Sequence, residues 1–182
     1  LFATTYGRIE ARIKMPVGEG LWPAFWMLPV DPSIYNQWAA SGEIDIMEVL
    51  GGEPDKVHGT IHYGHNSSSG HKQSQGTYAL SDGAFSDEFH TYTCEWEPGK
   101  ITWYVDGVKY HEENKWYSAM TDGTGKLSYP APFDQPFYII LNLAVGGSWV
   151  GYPDETTDFE NQTYEIDYVK VYQKESYDED VE

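Results

Sequence analysis

Apolar and polar residues alternate along this chain in short runs broken by Gly, Pro, Asn and Asp. That is the period-two signature of half-buried strands, and helical periodicity is hard to find. The runs predict strands over residues 6–15, 21–28, 42–50, 56–63, 75–79, 89–96, 101–105, 109–112, 137–145 and 164–172. Asp106-Gly107, between two such runs, predicts a tight hairpin because both residues tolerate positive φ. Glu97-Pro98-Gly99 marks another turn. Many short strands with turn residues between them predict an all-β sandwich of two antiparallel sheets.

Two polar stretches interrupt the rhythm. Residues 65–74 are rich in Ser, Gly and His and predict an exposed loop, and residues 116–136 predict a longer one with a helical turn within 116–121. Long loops in a compact domain commonly wall a cleft. Residues 175–182 are acidic and lack a core face, which predicts a frayed tail after a domain spanning 1–174.

Ser41-Gly42-Glu43-Ile44-Asp45-Ile46-Met47-Glu48 carries the candidate chemistry. Residues two apart share a strand face, so Glu43 and Asp45 point one way, Ile44 and Ile46 the other. Strict alternation would turn Glu48 into the core, where an unpaired carboxylate is costly. A β-bulge with its extra residue at Met47 resets the alternation and returns Glu48 to the acidic face. Glu43 and Glu48 then lie roughly 13 Å apart at Cα, at about 3.3 Å per step. Side chains leaning together bring the carboxyls to about 5–5.5 Å, a spacing suited to double-displacement glycoside hydrolysis. Three acids on one face repel, so their pKa values must split. The same pattern also suits a solvated acidic face or a Ca²⁺ site.

Composition narrows the partners. The 182 residues are enough for one well-cored domain, and the hydrophobic share is 40%. No apolar run approaches the roughly 20 residues of a membrane span. Residues 1–5 lack a signal-peptide pattern, so such a segment has been removed or was never carried. A net charge of −18 argues against nucleic acid and anionic membrane as partners, and leaves neutral polymers free to bind. Seven Trp and fifteen Tyr supply rings that either fill a core or stack on sugar faces. Cys94, the only cysteine, has no internal disulfide partner.

Glu43-Ile44-Asp45-Ile46-Met47-Glu48 resembles the signature of glycoside hydrolase family 16, in the Met-containing form of laminarinase-like endo-β-1,3-glucanases; the lichenase form lacks that Met. Segments 6–14, 21–27, 59–62, 142–149 and 166–172 resemble further stretches of the family in the same order. The resemblance implies a jelly-roll β-sandwich with a concave substrate cleft and a secreted enzyme cutting internal β-1,3 or mixed-linkage bonds of a β-glucan polysaccharide. It implies Glu43 as nucleophile, Glu48 as general acid/base and Asp45 as assisting carboxylate, with no catalytic cofactor. Glu10, Arg12, Trp22, Trp26, His62 and Trp149 are the implied substrate contacts, and Asp167 the implied ligand of a structural Ca²⁺. Core packing is the rival role for Trp22 and Trp26, an exposed ion pair for Glu10 and Arg12, and a capped strand start for Asp167.

Strands that precede this segment in the family are not in the chain. Their absence predicts open sheet edges, and a second chain or segment to cover them. Three alternative functions share the scaffold: a non-catalytic glucan-binding lectin, a hydrolase of another polysaccharide, and a transglycosylase.

Overall fold

The computed structural model describes residues 2–66, 70–120 and 125–181. In chain order the strands are β1 (Ala3–Thr4), β2 (Gly7–Lys14), β3 (Leu21–Pro29), β4 (Glu43–Glu48), β5 (Lys56–Gly64), β6 (His71–Ala79), β7 (His90–Glu97) and β8 (Lys100–Val105). They continue with β9 (Val108–Glu113), β10 (Ala119–Met120), β11 (Gly125–Lys126), β12 (Phe137–Val145) and β13 (Glu165–Tyr172). A 3₁₀ turn, Pro32–Tyr35, is capped by Asp31, whose side chain accepts from the Ser33 N–H. Among the described residues no helix is long and apolar enough to cross a membrane.

Two antiparallel sheets make the sandwich. The first has the order β1-β12-β3-β4-β5-β6, the second β13-β2-β7-β8-β9, and β10-β11 form a separate ribbon. Alternation decides which side chains fill the space between them. Ile9, Ala11 and Ile13 of β2 meet Phe25 and Met27 of β3 and Ile44 and Ile46 of β4, all buried. Trp96 and Trp103 close the core from the second sheet, Trp96 edge-on to Phe137 at 5.3 Å. Each large apolar side chain so buried contributes about 1.5–3 kcal/mol. The other face of the first sheet is therefore free to carry polar chemistry.

All ten expected strands form, with ends shifted by a few residues. At the expected hairpin, Asp106 and Gly107 have φ of 49° and 80°. Asp106 also accepts from the Thr91 N–H at 2.8 Å, which ties the turn to β7.

Three expectations need correction. Residues 71–74 belong to β6 and are not loop, because this edge strand carries few apolar side chains and alternates between half-buried and exposed positions. Within 116–121, residues 119 and 120 are strand and no helical turn forms in 116–120; Thr121 lies outside the described residues. The acidic tail is not free along its length: Tyr177 packs 5.2 Å from Tyr6 against the core.

Two strands are left partly uncovered among the described residues. β1 covers only two positions of β12, and β13 pairs with β2 alone. Val145, Ile166 and Val169 are exposed along these two strands.

Candidate active site

The catalytic-type acids sit on a kinked strand. Against β5, Asp45 pairs with Thr60 and Glu48 with His58, so three steps on β4 oppose two on β5. Against β3, Met47 pairs with Phe25 and Asp45 with Trp26, so Ile46 is the residue passed over. The bulge thus falls at Ile46-Met47, and both of these side chains are buried in the core. Opposite it, Gly59 leaves room for Trp103: a Cβ there would lie 2.5 Å from the indole. Trp103 donates its N–H to the Asp45 carbonyl at 2.8 Å, pinning the kink to the second sheet. Glu48 consequently shares the cleft face with Glu43 and Asp45.

A 220 Å³ cavity brings together Trp22, Trp26, Glu43, Asp45, Glu48 and Asn142. Two neighbouring hollows of 440 Å³ share Glu43 with it. One runs past Trp26, Trp38 and Tyr138, the other past Trp22, Glu48, His62 and Trp149. Together they form a groove that continues on both sides of Glu43.

Each outer acid is held by an indole. Trp22 donates to Glu48 Oε1 at 3.0 Å, and Trp38 donates to Glu43 Oε2 at 2.7 Å. Asp45 lies between them, 2% exposed, with its Oδ2 making no hydrogen bond. His62 Nε2 is 3.2 Å from that oxygen and 3.8 Å from Glu43 Oε1.

Burial dominates the proton affinities. It pushes Glu43 up to about 8, helped by the charge of Asp45 and opposed by His62 and the Trp38 N–H. Burial likewise raises Asp45, and raises Glu48 with added repulsion from Asp45 and Glu43. Three such groups cannot all ionise together, so the face holds protons that the carboxyls share at neutral pH. This is the division of acid and base that a two-carboxylate reaction needs.

Trp22, Trp26, His62 and Trp149 also reach the groove. The Trp26 N–H donates to Asn142 Oδ1 at 2.7 Å. Trp149 is 41% exposed and meets Trp22 edge-on at 5.3 Å.

Glu10, Arg12 and Asp167 do not join them. β2 belongs to the second sheet, and its core-facing residues are Ile9, Ala11 and Ile13, so Glu10 and Arg12 point away from both core and cleft. Glu10 accepts from Arg8 at 2.8 Å and from Tyr168 at 3.0 Å. Arg12 donates to Asp167 Oδ2 at 2.8 Å. Asp167 sits where the β13–β2 register shifts, and its Oδ2 is paired with the Arg12 guanidinium. One exposed carboxylate paired with a guanidinium does not by itself supply the about 6–8 oxygens that a calcium ion takes. Among the described residues the one group of three converging donor side chains is Glu43, Asp45 and His62, within 4.8 Å, which is the acid cluster itself.

Sequence reasoning missed Trp38, His71 and His58. Trp38 sits among Asn36, Gln37 and Gly42, a turn-rich setting where a large ring has no strand to pack on; that was the available signal. His58 lies opposite Glu48, its Nδ1 2.9 Å from Thr77 Oγ1 and its ring 5.4 Å from Trp149.

One sheet of a β-sandwich thus carries two indole-held glutamates with an aspartate between them. Residues 1–170 match the model of glycosyl hydrolases family 16, and the chain belongs to that family. It is 44% identical over 177 residues to the glucan endo-1,3-beta-glucosidase A1 of Niallia circulans, covering 93% of this chain and 24% of that protein. It is 40% identical over 173 residues to a beta-glucanase of Rhodothermus marinus, covering 92% of this chain and 57% of that protein. The structure of the laminarinase catalytic domain of Thermotoga maritima is similar, with a TM-score of 0.78 and 40% identity over 96% of this chain and 66% of that one. The chain therefore spans about a quarter to three-fifths of the curated relatives named here.

Proposed function

We propose that the chain is the catalytic part of a retaining endo-glucanase that hydrolyses internal β-1,3 bonds of a β-glucan, with mixed-linkage β-1,3-1,4-glucan as a second substrate. Glu43 attacks the anomeric carbon as its bond to the glycosidic oxygen breaks, and Glu48 gives that oxygen its proton. Water then gives a proton to Glu48 and displaces Glu43, so both acids return to their starting states. Asp45 acts on Glu43 by sharing a proton with it, and the Trp38 N–H stabilises the ionised nucleophile. No cofactor enters this sequence of steps.

The observation that carries the reading is the bulge that puts Glu48 beside Glu43 in a groove continuing past both. A groove extending on either side of the reacting bond suits an internal segment of a polymer better than a chain end. The rings of Trp22, Trp26, Trp38 and Trp149 suit stacking on glucose faces. The names of the relatives in Niallia circulans and Rhodothermus marinus agree with a glucan. A polymer of this kind is met outside the cell, and we place the protein there. The open edges at β12 and β13, with exposed Val145, Ile166 and Val169, suit completion by a further segment or a second chain.

The test is release of reducing ends from laminarin, lichenan and agarose by the wild type and by Glu43→Gln. Release from laminarin, lost in the variant, supports the proposal. Binding without release in the wild type would favour a glucan lectin, release from agarose alone another substrate, and products longer than the donor a transglycosylase.

A further inference from the structure

Asp45 poses a problem that the proposed reaction leaves unsolved. Its Oδ2 is buried and makes no hydrogen bond, although a buried carboxyl oxygen without a donor is costly. His62 Nε2 lies 3.2 Å from it, where a hydrogen on that nitrogen stabilises the oxygen and a bare lone pair repels it. An imidazole has two tautomers, and the hydrogen bond made by one nitrogen sets the state of the other.

The other nitrogen of His62 faces a second histidine. His62 Nδ1 and His71 Nε2 are 2.7 Å apart, and the rings stack at 5.0 Å with 30° between their planes. One proton lies in that contact. If His62 supplied it from Nδ1, an unprotonated Nε2 would face Asp45 Oδ2, and the orphaned oxygen would gain no donor. If His71 supplies it, His62 Nε2 keeps its hydrogen, 3.2 Å from the aspartate oxygen. The Trp38 ring lies 4.8 Å from His71 and 5.8 Å from His62, packing the pair in place.

We infer that His71 is a positioning residue of this active site: it donates from Nε2 to His62 Nδ1, fixing His62 as the tautomer that carries its hydrogen on Nε2, the nitrogen beside Asp45 Oδ2. An N–H at this place stabilises negative charge on Asp45 and, 3.8 Å away, on Glu43. The inference rests on the proposed roles of Glu43 and Asp45 and deepens them. Its surroundings are few: Glu43, Asp45 and Glu48 face His62 from β4, and His71 has His62, Trp38 and its own neighbour Lys72. Burial first, then neighbouring positive charge, lowers the proton affinity of His71, so a neutral ring with its hydrogen on Nε2 is available to donate.

Two measurements on the full chain test it. Side-chain nitrogen NMR of ¹⁵N-histidine-labelled protein is expected to show His62 protonated at Nε2 and bare at Nδ1. In His71→Phe, which keeps a ring against Trp38 but donates nothing, that preference is expected to be lost. On laminarin, His71→Phe is expected to lower kcat about tenfold, the scale of one hydrogen bond to a charged centre, with KM within about twofold and a displaced pH profile. His71→Gln, whose amide N–H can stand in for Nε2–H, is expected to restore most of kcat. A proton on His62 Nδ1 in the wild type, or an unchanged tautomer and pH profile in His71→Phe, overturns the inference. Failure of the wild type to cut any glucan would instead sink the proposed activity, and the tautomer result would still decide the role of His71.

Discussion

Trp38 reaches from the loop ahead of β4 and donates its indole N–H to Glu43 Oε2 at 2.7 Å, although the residue is 46% exposed. It is thus both a wall of the groove and a direct partner of the proposed nucleophile. Because the bond favours ionised Glu43, its loss should raise the proton affinity of that carboxyl further. Trp38→Phe keeps the stacking surface and removes the donor. The expected result is a loss of kcat/KM on laminarin of about tenfold to a hundredfold, with the acid limb of the pH profile moved upward. An unchanged profile would show that the bond does not act on the nucleophile.

Glu43 ties catalysis to stability. Burial pushes its carboxyl from an ordinary 4.5 up to about 8. Between those values the folded chain holds the proton that the unfolded chain has released, so this group's stabilising contribution is full below about 4.5 and lost as pH rises through about 8. Glu43→Gln cannot ionise and escapes the loss. It is expected to melt higher than the wild type at pH 8–9, by roughly 2–4 °C for each kcal/mol recovered, and to show a smaller difference at pH 4. Parallel melting profiles from pH 4 to 9 would contradict this.

The bulge offers a test through parity. With one residue of Ile46-Met47 removed, Glu48 returns to the cleft face by simple alternation, with no kink. Deleting Met47 is therefore expected to leave measurable hydrolysis while costing about 2–5 kcal/mol for a lost core side chain. Glu48→Gln, with its fold intact, is expected to lose far more activity. If the deletion folds but is as inactive as Glu48→Gln, placement of the acids depends on more than their face.

How far the chain could be read depended on what kind of information each step needed. Alternation gave the faces of β4, and the cost of burying Glu48 pointed to a bulge that the register confirms at Ile46-Met47. Alternation gives faces but not sheets, which is why Glu10 and Arg12 were expected in the cleft and instead line the outside of the second sheet. His71 was hidden in a strand whose polar side chains resemble a loop. Tyr177 sits in an acidic tail with no periodicity, and only its contact with Tyr6 gives it a place in the core.

Arg12 and Asp167 are expected to be silent in catalysis. Both side chains are at least 40% exposed, so their ion pair is worth about 0–1 kcal/mol. Arg12→Ala should leave kcat and KM on laminarin within about twofold. Because Asp167 is paired with the Arg12 guanidinium, calcium or a chelator should not move the melting temperature of this chain. A calcium-dependent rise in melting that disappears in Asp167→Ala would contradict that assignment.

The double displacement by Glu43 and Glu48 is tested most directly by the anomeric configuration of the first product, followed by proton NMR as laminarin is cut. Two inversions at one carbon leave the new reducing end in the β configuration, before mutarotation mixes it, and that is the predicted result. A first product in the α configuration would mean a single displacement by water, and Glu43 would not be the nucleophile.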